Sequence, residues 1–149
     1  MPRSYSLAYL TSNTLTPPQA IRLAADLGYA NVGLRLLPNA AGAPQQFLIG
    51  LPDVLRETVA AQRDTGVGVL DLEIIRIGPG FDARAYLPLL EAGAALKARA
   101  VLVAGDESDF ARLVDVYAQL CDVMLPFGLT ADLEFMPWTK VPDAKSAMR

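Results

Sequence analysis

Histidine is absent from all 149 residues, and cysteine occurs once, at Cys121. Without histidine the chain has no Ser–His–Asp or Cys–His catalytic centre and no imidazole ligand for a metal. A lone cysteine excludes a disulfide framework and, with no histidine to accompany it, a Cys/His zinc site. The sequence therefore predicts that any functional site is built from carboxylates, arginines and other polar side chains.

Long apolar runs and basic runs are also missing from the sequence. No stretch of ~18 apolar residues could span a membrane, and the N-terminus, with Arg3 followed by an apolar stretch broken at Thr11, has no signal-peptide core. Lys and Arg number 13 against 16 Asp and Glu, a net charge of −3, which disfavours binding to nucleic-acid phosphates. We therefore expect a cytoplasmic protein without membrane or nucleic-acid partners.

What the sequence does contain is typical of one globular domain. Hydrophobic residues make up 52% of the chain, charged residues 19%, and the mean hydropathy is +0.29. A chain of this length buries roughly 68–70% of its unfolded surface when it folds. No linker or low-complexity segment interrupts it, so residues 1–149 are predicted to form a single domain.

Short apolar runs alternate with longer helical patterns along the whole chain. Strands are predicted over residues 6–10, 31–36, 67–75, 100–104 and 129–136. Helices are predicted from Thr16 to Gly28, then over 53–65, 82–97 and 109–125, with another beginning at Asp143, and a loop from 38 to 50. Such alternation predicts parallel strands joined by right-handed helical crossovers.

Five βα units fit two folds. One is a doubly wound sheet of the flavodoxin type, with strand order 2-1-3-4-5. The other is the front part of a (β/α)₈ barrel, which takes about 250 residues when complete and pairs its strands in sequential order. Length favours the wound sheet, but only residues 143–149 remain for the fifth helix that such a sheet needs.

Carboxylates within two strands favour the barrel. Asp71 and Glu73 are two residues apart, as are Asp132 and Glu134, so each pair points to one side of its strand. Central strands of a wound sheet are apolar on both faces, whereas a barrel mouth collects polar residues. We therefore predict an α/β fold of the parallel TIM-barrel type, truncated to about five strands and four helices. The open partial barrel has the order 1-2-3-4-5, and the chain is its N-terminal portion.

Polar residues also follow the predicted strands, where parallel α/β folds place their functional groups. The candidates are Arg35, Asp71, Glu73, Arg76, Asp106, Glu134 and Trp138, with Thr11, Ser12 and Asn13 after the first strand. This set suits a polar, anionic or polyhydroxylated ligand and a divalent cation held by oxygen atoms. A purely structural interpretation stays open: Arg35 pairs with an acid at the rim, Asp106 caps a helix, and Trp138 packs.

Two segments carry a resemblance to a known family: residues 70–76, LDLEIIR, and residues 132–138, DLEFMPW. Together with the order of elements, they resemble the xylose isomerase-like TIM barrels, the superfamily of sugar phosphate isomerases and epimerases. The resemblance covers the chain from the first strand to the fifth. The Asp, His and second Glu that complete the family's site come from strands six to eight, which the chain lacks.

The resemblance implies a divalent metal, Mn, Mg or Co, at the barrel mouth. It makes Glu134 the first metal ligand and the acid/base at the carbon beside a carbonyl. Because one ligand is not a site, the chain alone is expected to bind the metal weakly or not at all. The predicted substrate-binding residues are Arg35, Glu73, Arg76, Asp106 and Trp138.

The leading hypothesis is a sugar or sugar-phosphate isomerase or epimerase that acts on a small keto-sugar by proton transfer, with a site incomplete in this chain. One alternative is an inactive barrel fragment that acts, if at all, through assembly. A second is a flavodoxin-like binding module. Since the edge strands and inner apolar residues would lack neighbours, we also predict little isomerase activity and a tendency to form homo-oligomers.

Overall fold

The computed structural model describes residues 3–38 and 51–149. Its sheet consists of β1 (Ser6–Leu7), β2 (Asn31–Arg35), β3 (Gly68–Ile77), β4 (Ala100–Gly105) and β5 (Thr130–Leu133). All neighbouring strands are parallel, and they pair in the order β1-β2-β3-β4-β5. The predicted sequential order is confirmed. The flavodoxin alternative is wrong, because it needs β1 beside β3.

Helices follow the strands in the alternation that the sequence predicts. They are α1 (Pro17–Asp26), α2 (Pro52–Thr65), α3 (Leu87–Ala95), α4 (Phe110–Met124) and α5 (Ala144–Ala147). Short 3₁₀ turns occur at Tyr9–Thr11, Ala83–Tyr86 and Leu125–Phe127. Across residues 3–38 and 51–149, no helix is long and apolar enough to cross a membrane.

The ends of three helices follow from local chemistry. The backbone N–H of Thr16 donates to Oε1 of Gln19 at 2.9 Å, one half of a capping box at the start of α1. Gly66 ends α2 in the left-handed region, with φ of 75°, which costs glycine little. At α5, Oδ1 of Asp143 accepts from the N–H of Ser146 at 2.7 Å. These boundaries are the ones that the sequence predicts.

Other boundaries differ from the prediction. The first strand ends at Leu7 because the chain turns into the 3₁₀ turn Tyr9–Thr11. The third helix is α-helical only from Leu87, since the preceding segment is 3₁₀. The fifth strand ends at Leu133, because the N–H of Met136 donates at 3.0 Å to the carbonyl of Val141 in the following turn. The predicted loop over 38–50 lies, apart from Pro38, outside the described residues.

The core lies between the helices and one face of the sheet, called here the outer face. Fully buried side chains from both layers meet there: Ile21, Leu34, Leu72, Ile75, Ile77, Leu89, Leu90, Val101, Val103 and Leu120. Each such side chain stabilises the fold by about 1.5–3 kcal/mol. The opposite face, called the inner face, is therefore free to carry polar groups.

Strand β3 contains one extra residue relative to β2 and, at a second place, one extra residue relative to β4. The register shifts once against β2 and once against β4. The pairs that flank these shifts are Val32–Val69 and Gly33–Asp71, then Leu72–Val101 and Ile75–Val103. An extra residue of this kind is a β-bulge, and it breaks the strict alternation of side chains between the two faces.

The second bulge decides which side Arg76 lies on. Leu72, Ile75 and Ile77 are fully buried in the core on the outer face. Glu73 and Arg76 keep solvent exposure, as expected for the inner face. Strict alternation would separate Glu73 from Arg76, because they are three residues apart. The bulge between Leu72 and Ile75 brings both onto the inner face.

Candidate functional site

Four carboxylates from β3 and β5 lie on the inner face. On β5, Ala131 and Leu133 pack against the core, and the hydroxyl of Tyr117 donates to the carbonyl of Ala131 at 2.6 Å. The alternating residues Asp132 and Glu134 consequently point inward. We call Asp71, Glu73, Asp132 and Glu134 the carboxylate cluster.

Asp71 is a partly buried member of the carboxylate cluster, whereas Asp132 and Glu134 are exposed. Its pKa is raised, first by burial and then by the negative charges of Asp132 and Glu134. The side chain occupies space that only glycine leaves open on β2, because a Cβ added at Gly33 would lie 2.7 Å from Oδ1 of Asp71. Asp132 and Glu134 therefore lie close enough to Asp71 to raise the cost of ionising it.

Glu73 is held by an arginine from the neighbouring strand. Nη2 of Arg35 lies 2.7 Å from Oε2 of Glu73, and the two side chains are 15% and 12% exposed. Burial raises the pKa of Glu73, Arg35 lowers it, and the charges of Asp71 and Glu134 raise it again, with a net upward shift. The structure thus combines both interpretations of Arg35: it pairs with an acid, and it fixes that acid within the cluster.

Tyr9, in the 3₁₀ turn after β1, supports Arg35, a contact that the sequence does not predict. Cζ of Arg35 lies 4.5 Å from the centroid of the Tyr9 ring, a distance typical of a cation–π contact. Nε of Arg35 is buried and has no hydrogen-bond partner within the part of the chain that the structure describes. The available signal was an aromatic residue at the end of the first predicted strand, next to Thr11 and Ser12.

Arg76 and Asp106 form a second, more exposed ion pair at the ends of β3 and β4. Nη1 of Arg76 lies 2.9 Å from Oδ2 of Asp106, and the side chains are 43% and 33% exposed. Trp138 lies in the turn after β5 and is 75% exposed. The structure therefore places Arg76 with Asp106 and does not bury Trp138 with the other predicted residues.

Glu107 is a buried acid that sequence reasoning did not single out. It lies in the loop between β4 and α4, where Oε1 accepts from the N–H of Asp109 at 3.0 Å. Its Oε2 is 3.5 Å from Nε of Arg112. These contacts tie the loop to the first turn of α4. We assign Glu107 a structural role beside the site.

The potential metal ligands of the candidate site are carboxylate oxygens. In the two described stretches of chain, no three Asp, Glu, Cys or His side chains are grouped closely enough to hold a metal ion. Carboxylate oxygens suit Mg²⁺ and Mn²⁺, but Glu134 and its neighbours do not form a coordination shell. The described residues therefore do not fit a complete metal site.

Solved structures share this architecture. A xylose isomerase domain containing protein from Salmonella typhimurium superimposes with a TM-score of 0.77 at 13% identity, covering 96% of this chain and 54% of its own. The IolI protein with a bound zinc atom gives 0.72 at 16% identity, covering 97% and 56%. A sugar phosphate isomerase/epimerase from Parabacteroides distasonis gives 0.58 at 11% identity, covering 88% and 50%.

The chain has the xylose isomerase-like fold. The predicted TIM-barrel type of sheet is confirmed by this likeness and by the strand order. The chain spans about half the length of the solved structures that it matches. No family model and no curated protein matches its sequence. The xylose isomerase-like fold thus emerges from three-dimensional structure at sequence identities of 11–16%.

Proposed function

We propose that this chain contributes to the site of a sugar or sugar-phosphate isomerase or epimerase, in which Glu134 transfers a proton at a carbon beside a carbonyl. The observation that carries the proposal is the carboxylate cluster on the inner face of a xylose isomerase-like sheet. One structural neighbour, a sugar phosphate isomerase/epimerase, supports the choice of substrate class.

Glu134 has the exposure that this role requires. It follows the last residue of β5, and its N–H donates to the carbonyl of Val103 at 2.8 Å, which fixes its backbone to β4. Its side chain is exposed and can reach a substrate. An ionised carboxylate there takes the proton from carbon, a C=C bond forms, and the carbonyl π electrons move onto the carbonyl oxygen. In isomerisation the carboxyl returns the proton to the neighbouring carbon, and the hydroxyl proton passes to the former carbonyl oxygen as the new carbonyl forms. In epimerisation a second acid returns a proton to the same carbon from the opposite face.

Glu73 and Arg35 are proposed to bind and orient the substrate. Arg35 occupies Oε2 of Glu73, which leaves Oε1 to accept a hydrogen bond from a sugar hydroxyl. Because Arg35 rests on the Tyr9 ring, the carboxylate is held before the substrate arrives. This preorganisation lowers the entropic cost of binding. Arg76, Asp106 and Trp138 would contact the parts of the substrate farther from the reacting carbons.

Among these residues, Glu134 alone is proposed as a metal ligand. One structural neighbour holds zinc, and we propose that Glu134 is the ligand that this chain would offer to a divalent Mn, Mg or Co ion. The described residues do not complete the coordination of such an ion. No step of the proton transfer above is assigned to it.

Proton exchange with solvent tests the proposal directly. The protein is incubated in D₂O with D-fructose or D-fructose 6-phosphate and Mn²⁺, and the loss of C1 and C3 proton signals is followed by NMR. We expect exchange above the rate without protein, at C1 for an isomerase or at C3 for an epimerase. Glu134→Gln should lower the protein-dependent rate by about 10²-fold or more, the usual contribution of a general acid/base.

Glu57→Gln is the matched control, because Glu57 is an exposed carboxylate on α2. It should leave the exchange rate unchanged. Equal exchange by wild-type protein and Glu134→Gln would refute the role of Glu134. Exchange no faster than the protein-free rate in the wild type would instead favour the alternative of an inactive chain.

A further inference from the structure

A cleft beside the carboxylate cluster has a different chemical character. It lies at the C-terminal ends of β2 and β3, has a volume of about 320 Å³, and is lined by Leu37, Pro38, Ile74, Arg76 and Tyr86. This volume is at the lower end of the range for small-ligand sites, roughly 300–1,000 Å³. Its walls are mostly apolar, and they carry one cationic and one phenolic group.

The distribution of charge around the site favours the binding of an anion in this cleft. Four carboxylates share the region around Asp71, and burial together with their mutual repulsion raises the pKa of Asp71. Arg35 is committed to Glu73 at 2.7 Å. An anionic substituent would therefore be repelled by the carboxylate cluster, whereas Arg76 presents a positive charge to the cleft.

Arg76 has donors to spare. Among the described residues Arg76 bonds through Nη1 to Oδ2 of Asp106 at 2.9 Å, whereas a guanidinium carries five N–H donors. Arg76 lines the cleft and Asp106 does not, so the carboxylate lies behind the guanidinium. Asp106 consequently orients Arg76 and leaves its remaining N–H groups for a ligand in the cleft.

Tyr86 offers a second, neutral donor. Its ring stacks on Phe81 with 5.5 Å between centroids, which fixes the direction of the phenol. Burial raises the pKa of Tyr86, so the hydroxyl stays protonated at neutral pH. A fixed phenol and a guanidinium on one cleft are a suitable pair for an oxyanion.

The distance along β3 matches the length of a sugar. Arg76 is three residues beyond Glu73, but one of them is the extra residue of the bulge, which places both on the inner face. The separation along the strand is therefore about two residue rises, roughly 7 Å. A five- or six-carbon chain with an anionic group at its far end spans a length of this order. One molecule could therefore contact Glu73 near its carbonyl and Arg76 at its other end.

We propose that the cleft at Arg76 and Tyr86 binds the terminal oxyanion of the substrate, a phosphate or carboxylate carried by the sugar. The inference rests on the proposed function, since it assumes that the uncharged end of the same sugar lies at the carboxylate cluster. It narrows the substrate class to anionic sugars and makes Arg76 the residue that selects them.

Binding of three keto-sugars tests this inference. Dissociation constants are measured by NMR titration for neutral D-fructose, D-fructose 6-phosphate and the carboxylate D-fructuronate. We expect at least one anionic sugar to bind more tightly than D-fructose. Arg76→Gln should weaken that binding by about 10–100-fold, the range for hydrogen bonds to charged groups, and weaken D-fructose binding by a clearly smaller factor. Whichever anion binds more tightly identifies the oxyanion.

Two further variants separate the cleft from general effects. Tyr86→Phe removes only the hydroxyl and should weaken anion binding by a smaller factor. Arg22→Gln removes an exposed arginine of α1 and should change nothing. Equal affinities for the three sugars, or equal weakening of all three by Arg76→Gln, would overturn the proposal.

The outcome can be separated from that of the proposed function. If the anionic sugars bind through Arg76 but no carbon proton exchanges, the cleft is supported and the isomerase proposal fails. If Glu134-dependent exchange occurs equally with neutral and phosphorylated sugars, and Arg76→Gln changes neither binding nor exchange, the isomerase proposal stands and the cleft is overturned.

Discussion

Strands β3 and β4 lie side by side in the same sheet, yet they serve different purposes. β4 is regular, and its inner face carries Ala100, Leu102 and Ala104 between the outward-facing valines of the core. β3 contains two bulges, and its inner face carries charged side chains. The outer faces of both strands are apolar and buried. The outer face of the sheet thus carries the residues that stabilise the fold, and the inner face carries the polar residues of the candidate site.

The largest expected change in the free energy of unfolding comes from the outer face of β3, and a variant on the inner face of β4 serves as its comparison. Leu72→Ala removes a fully buried side chain from the outer face of β3 and should lower the free energy of unfolding by about 2–5 kcal/mol. Leu102→Ala, on the half-buried inner face of β4, should cost less than about 1.5 kcal/mol. Urea unfolding monitored by circular dichroism measures both. Equal losses would show that the inner face also serves as core.

The two arginine pairs of the inner face provide the next comparison. Arg35→Met leaves Glu73 buried and unpaired, and we expect it to lower the free energy of unfolding by about 2–3 kcal/mol. Arg76→Met breaks a much more exposed pair and should cost less than about 1 kcal/mol. The double variant Arg35→Met/Glu73→Gln should recover part of the first loss. No recovery would locate the loss in the Tyr9 contact.

A glycine facing β3 sharpens the comparison further. Gly33→Ala would place a methyl group 2.7 Å from Oδ1 of Asp71 and 3.4 Å from the backbone nitrogen of Tyr9. We expect a loss of about 1–2 kcal/mol in the free energy of unfolding, because the Asp71 side chain must move. In an Asp71→Ala background the same substitution should cost clearly less. A double-mutant cycle by urea unfolding would expose additive losses, which would contradict the proposed contact.

The smallest effect concerns pH. Burial and the charges of Asp132 and Glu134 raise the pKa of Asp71 above 3.8, so the folded protein holds this proton more tightly than the unfolded chain does. Stability from the protonated form is therefore lost as pH rises through the raised pKa. Asp71→Asn should be more stable than wild type at about pH 7, and the difference should shrink as the pH falls toward about 4. Thermal melts across this range measure it, and a difference independent of pH would refute the shift.

The sequence predicts the outer face better than the inner one. Apolar periodicity locates every strand, and capping residues such as Thr16 and Asp143 locate helix starts, because these signals are local. The pairing of Asp71 with Glu73 on one face also follows from alternation. Arg76 is different: alternation assigns it to the opposite face from Glu73, and the bulge that reverses this depends on register with β4, which no local pattern encodes.

The sequence also does not predict which side chains meet between strands. Arg35 and Glu73 are 38 residues apart, and their ion pair depends on the β2–β3 register. The Tyr9 contact depends on a 3₁₀ turn that replaced the end of the predicted first strand. The metal and substrate-binding roles of these residues stay predictions, because residue types at strand ends indicate a site without fixing its ligand.

The bulge between Leu72 and Ile75 has a consequence for how such a sheet could diversify. The bulge holds one residue more than the register with β4 needs, so deleting Ile74 would restore strict alternation and leave Arg76 on the inner face and Ile75 in the core. The strand can therefore lose a residue at this point without exchanging its two faces. Libraries that sample single-residue deletions at this bulge are expected to keep the inner-face side chains in place, and point substitutions can then vary those side chains one at a time.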